Sequence, residues 1–493
     1  MGTADRPTPP PAATPRPRPR LATPITVALV LLPLALLLGV LRLGSALYEA
    51  PAAAVSAAAG HTGGALPRLL LALPVVLLAC RAGAALCRRI GQPPVVGEIA
   101  VGVLLGPTLL GAVCPQAQSW LFPAQLAPCT DILGQLGLLS FMFLVGLELD
   151  LKALRGSGRT AVAVSQAGMV VPLLCGALLA LGMYPSLAPD GVAYLPFALF
   201  LAVSMSITAF PVLARILADK GLTGTRLGTL ALACAAVDDV TAWCLLALVV
   251  AVGQSGSPLD ALWTALLTVG FAALMLTVVR PLLARLAARA ARRGAPRGPG
   301  VLIALFAGLC LAALVTDRIG VHAVFGAFLF GVVTPRGSIE VERAAERLHS
   351  VAVPLLLPLF FVHTGLRADF GVLGADASAW LWCGAVLAAA VLGKWGGSTA
   401  AARLSGQGPR DALSLGALMN CRGVTELVVI NIGLDLGLIG PELFTMLVLM
   451  ALATTAMTAP AVSALLRRRG GDGHDGHGAE RLPDPELRTP VGV

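Results

Sequence analysis

Charge is what this 493-residue sequence has least of. Only 12% of its residues are Asp, Glu, Lys or Arg, against 57% hydrophobic, where a soluble domain carries about 25% charged residues. The deficit excludes an ordinary soluble globular protein and leaves a polytopic membrane protein. Also missing are a P-loop, a zinc-ligand spacing and a glycine-rich dinucleotide fingerprint. Nucleotide-driven pumping is therefore not expected, nor is an enzyme's cofactor or a resident metal. The net charge of +9 does not point to nucleic acid, because the basic residues fall in short runs between apolar spans. The ten cysteines are scattered, most of them inside spans, where a thiol is a small hydrophobe. Cys114 and Cys129 are the exception. They bracket the hydrophilic loop Pro115–Pro128 and could form a disulfide if that loop is extracytoplasmic.

What is present is a series of apolar runs. Residues 1–20, rich in Pro, Ala and Thr, read as a disordered cytoplasmic tail. The apolar run 21–48 is longer than the 7–15 residues of a signal h-region and reads as a retained extra helix. Thirteen spans follow, at 67–87, 93–112, 131–150, 160–184, 192–215, 227–252, 261–284, 300–316, 319–335, 350–366, 378–403, 411–434 and 441–466. Alternate loops hold the Lys and Arg, from Arg88 and Arg89 to Arg467–Arg469, while loops 113–130, 185–191, 253–260 and 435–440 have none. This alternation puts both chain ends in the cytoplasm. Arg68, Arg318 and Arg367 are isolated exceptions. Residues 470–493 read as a second disordered tail, with His474 and His477 in a Gly- and Asp-rich sequence.

The spans also repeat. Gly97–Pro107 reads like Ala323–Gly331, and Phe143–Asp150 reads like Phe361–Asp369. These are the second and third spans of two six-span halves, 67–252 and 300–467, with the linker span 261–284 between them. An odd linker inverts the second half relative to the first. Inverted repeats place substrate sites near the midplane, at discontinuous helices.

Chemistry concentrates in four stretches. Asp238 and Asp239 are adjacent inside the otherwise apolar span 227–252, where each carboxylate costs at least about 2.5–3.5 kcal/mol to insert. Intramembrane carboxylates mark ion or proton pathways. Ser206, Thr208 and Pro211 break the fifth span of the first half, and Asn420, Arg422, Gly423, Thr425 and Glu426 occupy the matching place in the second. Thr208 reads as a site residue. Arg422 and Glu426, at i, i+4, read first as a structural pair. Lys394 is the only lysine deep in a span. It suits pairing with Asp238, which would leave Asp239 free for a cation or a proton. Glu98 is either a cavity residue or interfacial, and His322 and His363 read as interfacial or structural.

Four motifs together, Gln92–Ile99, Ser206–Leu217, Val237–Trp243 and Arg422–Val429 with Asn431–Asp435, resemble the cation:proton antiporter superfamily. The likeness is to its second branch, the plant cation/proton exchangers and bacterial potassium-efflux antiporters, and to the sodium/hydrogen exchanger transmembrane domain. It covers about residues 67–467. The resemblance implies an all-α fold with a 13-helix core of two inverted six-helix repeats and a linker helix; the extra N-terminal helix lies outside that core. It further implies a homodimer in the cytoplasmic membrane and exchange of Na+ or K+ for H+ by an elevator-type motion. Asp239 would bind the ion and Lys394 would face Asp238. A gated cation channel or uniporter on the same scaffold is the alternative. The nucleotide-binding regulatory domain of some potassium-efflux members has no counterpart in the short stretch after Arg469, so regulation of that kind is not expected.

Overall fold

The computed structural model describes residues 65–148, 158–254, 258–292, 300–374 and 376–467. The expected tails 1–20 and 470–493, the extra helix 21–48 and the tail histidines lie outside the described residues.

Every described element is helical. The first half comprises α1 (Ala65–Arg89), α2 (Pro94–Leu105), α3 (Pro115–Leu121), α4 (Ala127–Glu148), α5 (Gly158–Leu187), α6 (Tyr194–Ser206), α7 (Phe210–Asp219) and α8 (Arg226–Gln254). The linker is α9 (Pro258–Leu274), which runs through a π turn, Met275–Val279, into α10 (Arg280–Arg292). The second half comprises α11 (Gly300–Ile319), α12 (Ala323–Val333), α13 (Ile339–Val351), α14 (Leu357–Arg367), α15 (Ala377–Leu404), α16 (Pro409–Met419), α17 (Val424–Asp435) and α18 (Pro441–Arg467).

Among the described residues, eleven helices are long and apolar enough to cross a membrane, or twelve if the bent pair α16–α17 is one span. The ninth expected span, 319–335, is only the 11-residue helix α12. At 1.5 Å per residue it covers only about half of a ~30 Å hydrocarbon core. Two stretches expected as basic cytoplasmic loops are helical instead. Residues 285–292 continue the linker helix as α10, and 339–351 form α13, which joins α14 through the π turn Ala352–Leu356. Their charges sit on one side of amphipathic helices, and charge alone reads as loop. The segment between Cys114 and Cys129 is not a loose loop either. It folds as α3 and a 3-10 turn, Ala124–Leu126, and Cys114 and Cys129, the possible bridge, are both free thiols.

The helices pack as two groups. One contains α1, α2, α4 and α11–α14; the other contains α5–α8 and α15–α18. Glycines set the tightest seams of the first group. A Cβ at Gly102 or Gly365 would strike the backbone of the other's helix, and one at Gly146 or Gly331 would do the same across α4 and α12. The repeated motifs therefore pair crosswise: span two of each half lies on span three of the other. The likeness extends further, since Gly97 lies against the backbone of α1 and Gly326 against that of α11.

Candidate ion site at the crossing of two broken helices

The second group contains both interrupted spans. Pro211 lacks an N–H and excludes a helical turn before it. α6 ends at Ser206, Ile207 takes extended backbone (φ −75°, ψ 142°), and α7 starts at Phe210. In the other half α16 ends at Met419 and α17 begins at Val424, bent by 42°. The breaks cross and bond directly: the Ala209 N–H donates to the Cys421 carbonyl at 3.1 Å. Gly423 permits the approach, because a side chain there would collide with Val212 of α7. Non-helical backbone at this depth is tolerated because it is enclosed by protein.

Four helix ends meet at the crossing, and the unpaired carbonyls of the two C-terminal ends, α6 and α16, need donors. Arg422 supplies two of them, donating to the Ser204 carbonyl at 3.0 Å and to that of Met205. Lys394 donates to the Ser206 carbonyl, and Thr208 lies 3.3 Å from that of Met419. Cations at the C-terminal end of α6 also complement its dipole. Arg422 in turn holds Glu426 at 3.0 Å, and Ser204 Oγ donates to the other Glu426 oxygen at 3.1 Å. Glu426 sits in the first turn of α17 and Arg422 just ahead of it, and the pair fastens α17 to α6.

The two aspartates beneath the crossing are both closed to solvent, at 0% and 1% exposure, yet their surroundings differ. Three donors from three elements converge on Asp238: Ser165 Oγ from α5 on Oδ1, Thr208 Oγ1 at 2.6 Å on Oδ2, and Lys394 Nζ from α15 at 3.0 Å on Oδ2. Asp239 Oδ1 has no hydrogen-bond partner. The rest of the carboxylate is served by the backbone N–H of Phe210, at the start of α7. Buried polar atoms are rarely left unpaired, and this orphaned oxygen is the one such atom at the site that belongs to a carboxylate.

The structure thus gathers Asp238, Asp239, Thr208, Lys394, Ser206, Arg422 and Glu426 at one crossing. Asn420 caps α16 there, buried, with neither amide atom partnered. Glu98 is not in the cluster. It lies on α2, and the basic groups acting on it are Arg88 and Arg81. Sequence reasoning missed Ser165, because serine is common wherever membrane helices pack closely and a single one gives no signal.

The chain is similar to several known proteins. The family model described as "Sodium/hydrogen exchanger, transmembrane" matches residues 75–468. The chain is 39% identical over 396 residues to the Na(+)/H(+) antiporter NhaS4 of Synechocystis sp., covering 80% of this chain and 96% of that one. It is 41% identical over 406 residues to Cation/H(+) antiporter 17 of Arabidopsis thaliana, covering 82% and 49%. With the K(+)/H(+) antiporter 1 of Saccharomyces cerevisiae it shares 34% identity over 377 residues, covering 75% and 43%. It therefore spans about half the length of these plant and yeast relatives. The sodium proton antiporter MjNhaP1 of Methanocaldococcus jannaschii, solved at pH 8, superposes with a TM-score of 0.54 at 15% identity, covering 81% of this chain and 99% of that one; this shows a shared fold. On the family match and the near full-length relative, the chain belongs to the sodium/hydrogen exchanger transmembrane family within the cation:proton antiporter superfamily, a family of multi-pass membrane transporters and not of enzymes.

Proposed function

We propose that the protein exchanges a monovalent cation, Na+ or K+, for protons across the cytoplasmic membrane. One observation carries this reading: of two adjacent buried carboxylates, Asp238 is engaged by three donors while Asp239 keeps an unpartnered oxygen. A desolvated carboxylate with an unpartnered oxygen gains by taking up either a proton or an alkali cation. It cannot hold both, so occupancy of Asp239 couples the two fluxes. Thr208 and the carbonyls freed at the breaks are hard oxygen donors suited to the same cation, and Lys394 keeps Asp238 out of the competition.

Because Asp239 is closed to solvent, each exchange requires movement. The packing of the helices as two groups supports an elevator-type motion, with the group of α5–α8 and α15–α18 carrying the ion past the other. The transporting unit is 67–467, with repeats 67–252 and 300–467 joined by the linker 261–284. The homodimer implied by the family resemblance completes this reading. Relatives named as Na+/H+ and K+/H+ antiporters favour exchange over a channel or uniporter.

The test is proton flux in proteoliposomes after Na+ or K+ is added. The parent protein moves protons against the cation gradient, and Asp239→Asn, still inserted and monodisperse, moves none. Undiminished exchange by Asp239→Asn overturns the proposal.

A further inference from the structure

Arg367 breaks the charge pattern of this chain. It is one of the isolated basic residues on the side whose loops otherwise lack Lys and Arg, which the positive-inside rule makes extracytoplasmic. The structure gives it an occupation. At the C-terminal end of α14, in the first helix group, its guanidinium reaches Asp435 of α17, in the second group, at 2.6 Å. It also donates to Asn431 Oδ1 at 3.2 Å and lies 5.8 Å from the ring centre of Phe444 on α18. Asn431 is buried and turns its amide N–H back to Thr364 of α14 at 2.8 Å. Next to these, the Asp369 N–H meets Thr445 Oγ1 at 3.3 Å. Arg367 thus touches three side chains of the other group from a single position.

We propose that Arg367, with Asp435 and Asn431, is a clasp that closes the extracytoplasmic end of the transporter and must open for the ion site to face outward. This rests on the exchange reading given above. A sliding motion of one helix group past the other cannot keep these contacts, because all of them cross the seam. Asp435 is half exposed, so the ion pair alone is a modest bond. A modest bond suffices, since an equilibrium between two conformations responds to small differential contacts, and apparent affinity follows the fraction of molecules in the competent conformation. Opening the clasp therefore shifts affinity in opposite directions on the two sides.

The experiment compares the parent protein, Arg367→Gln, Asp435→Asn and the exchanged pair Arg367→Asp/Asp435→Arg. In oriented vesicles, each single variant lowers the apparent cation KM measured from outside and raises that measured from inside, by several-fold. The exchanged pair returns both towards the parent values. Equal shifts on both sides, or no shift, overturn the clasp. Hydrogen–deuterium exchange in detergent gives a second readout that needs no transport. Peptides covering 368–374 and 436–445 exchange faster in the single variants and regain protection in the exchanged pair. Unchanged protection, or loss that the exchanged pair does not repair, also overturns the clasp. A parent protein that moves no cation would refute the exchange reading, and the protection data would still decide the clasp.

Discussion

The Lys394 ammonium stands 3.0 Å from Oδ2 of Asp238, and both side chains are fully buried. Each is the other's counter-ion, and neither has water to fall back on. Asp238→Asn strands the ammonium, and truncating one partner of a buried pair costs about 3–5 kcal/mol. A clear fall in thermal stability in detergent is expected. Asp239→Asn removes a charge that lacks such a partner, so it keeps or raises the melting temperature while abolishing exchange. A melting temperature that falls equally in both variants would contradict the asymmetry.

Competition at one carboxylate fixes the form of the pH dependence. Protons raise the apparent KM for the cation, approaching about tenfold per pH unit once protonation dominates, as expected for single-site competition. The maximal rate reached with saturating cation stays level. Cation titrations of exchange at several pH values measure both. A constant KM with a falling maximal rate would show that proton and cation bind at separate places.

The Arg422–Glu426 pair is argued to hold α6 against α17. Arg422→Met leaves the Glu426 carboxylate without its cation and two carbonyls without their donor, and should destabilise by about 3–5 kcal/mol. The double variant Arg422→Met/Glu426→Met removes both charges and should recover much of that loss. Thermal unfolding of the two singles and the double provides the cycle. Additive losses would mean that the pair does not act as a unit.

Two glycines separate packing from propensity. A methyl group at Gly146 would press on the Phe328 carbonyl, and overpacking of this kind costs about 1–3 kcal/mol. Gly270, on α9, has nothing within 4 Å of an added Cβ, so Gly270→Ala should stabilise by about 0.5–1 kcal/mol. Melting temperatures that shift in opposite directions are the expected result.

Much of the site was legible in the sequence because polarity inside an apolar span is conspicuous. Asp238, Asp239, Lys394, Arg422 and Glu426 each stand out against aliphatic neighbours, and Pro211 and Gly423 mark the two breaks. Ser165 did not stand out, since its role comes from where α5 crosses α8 and not from its neighbours in sequence. The helix α13 was hidden for the opposite reason. Its charges suggested a loop, although they line one side of a helix that continues into α14. Glu98 was conspicuous for the same reason as the aspartates. Its neighbours, however, are Arg81 and Arg88 near its own end of the first spans, and no sequence distance separates those two situations.

The crosswise glycine seams have a consequence for how such a chain can be made. Gly102 lies on Gly365 and Gly146 on Gly331, so close backbone contacts run between the halves. A chain cut in the linker would yield two fragments, each lacking the surface its glycines were shaped to meet. Co-expressed, the fragments should reassemble; made singly, each should be cleared by proteolysis. A single-repeat ancestor would have faced the same demand, and an oppositely inserted second copy of itself would have met it.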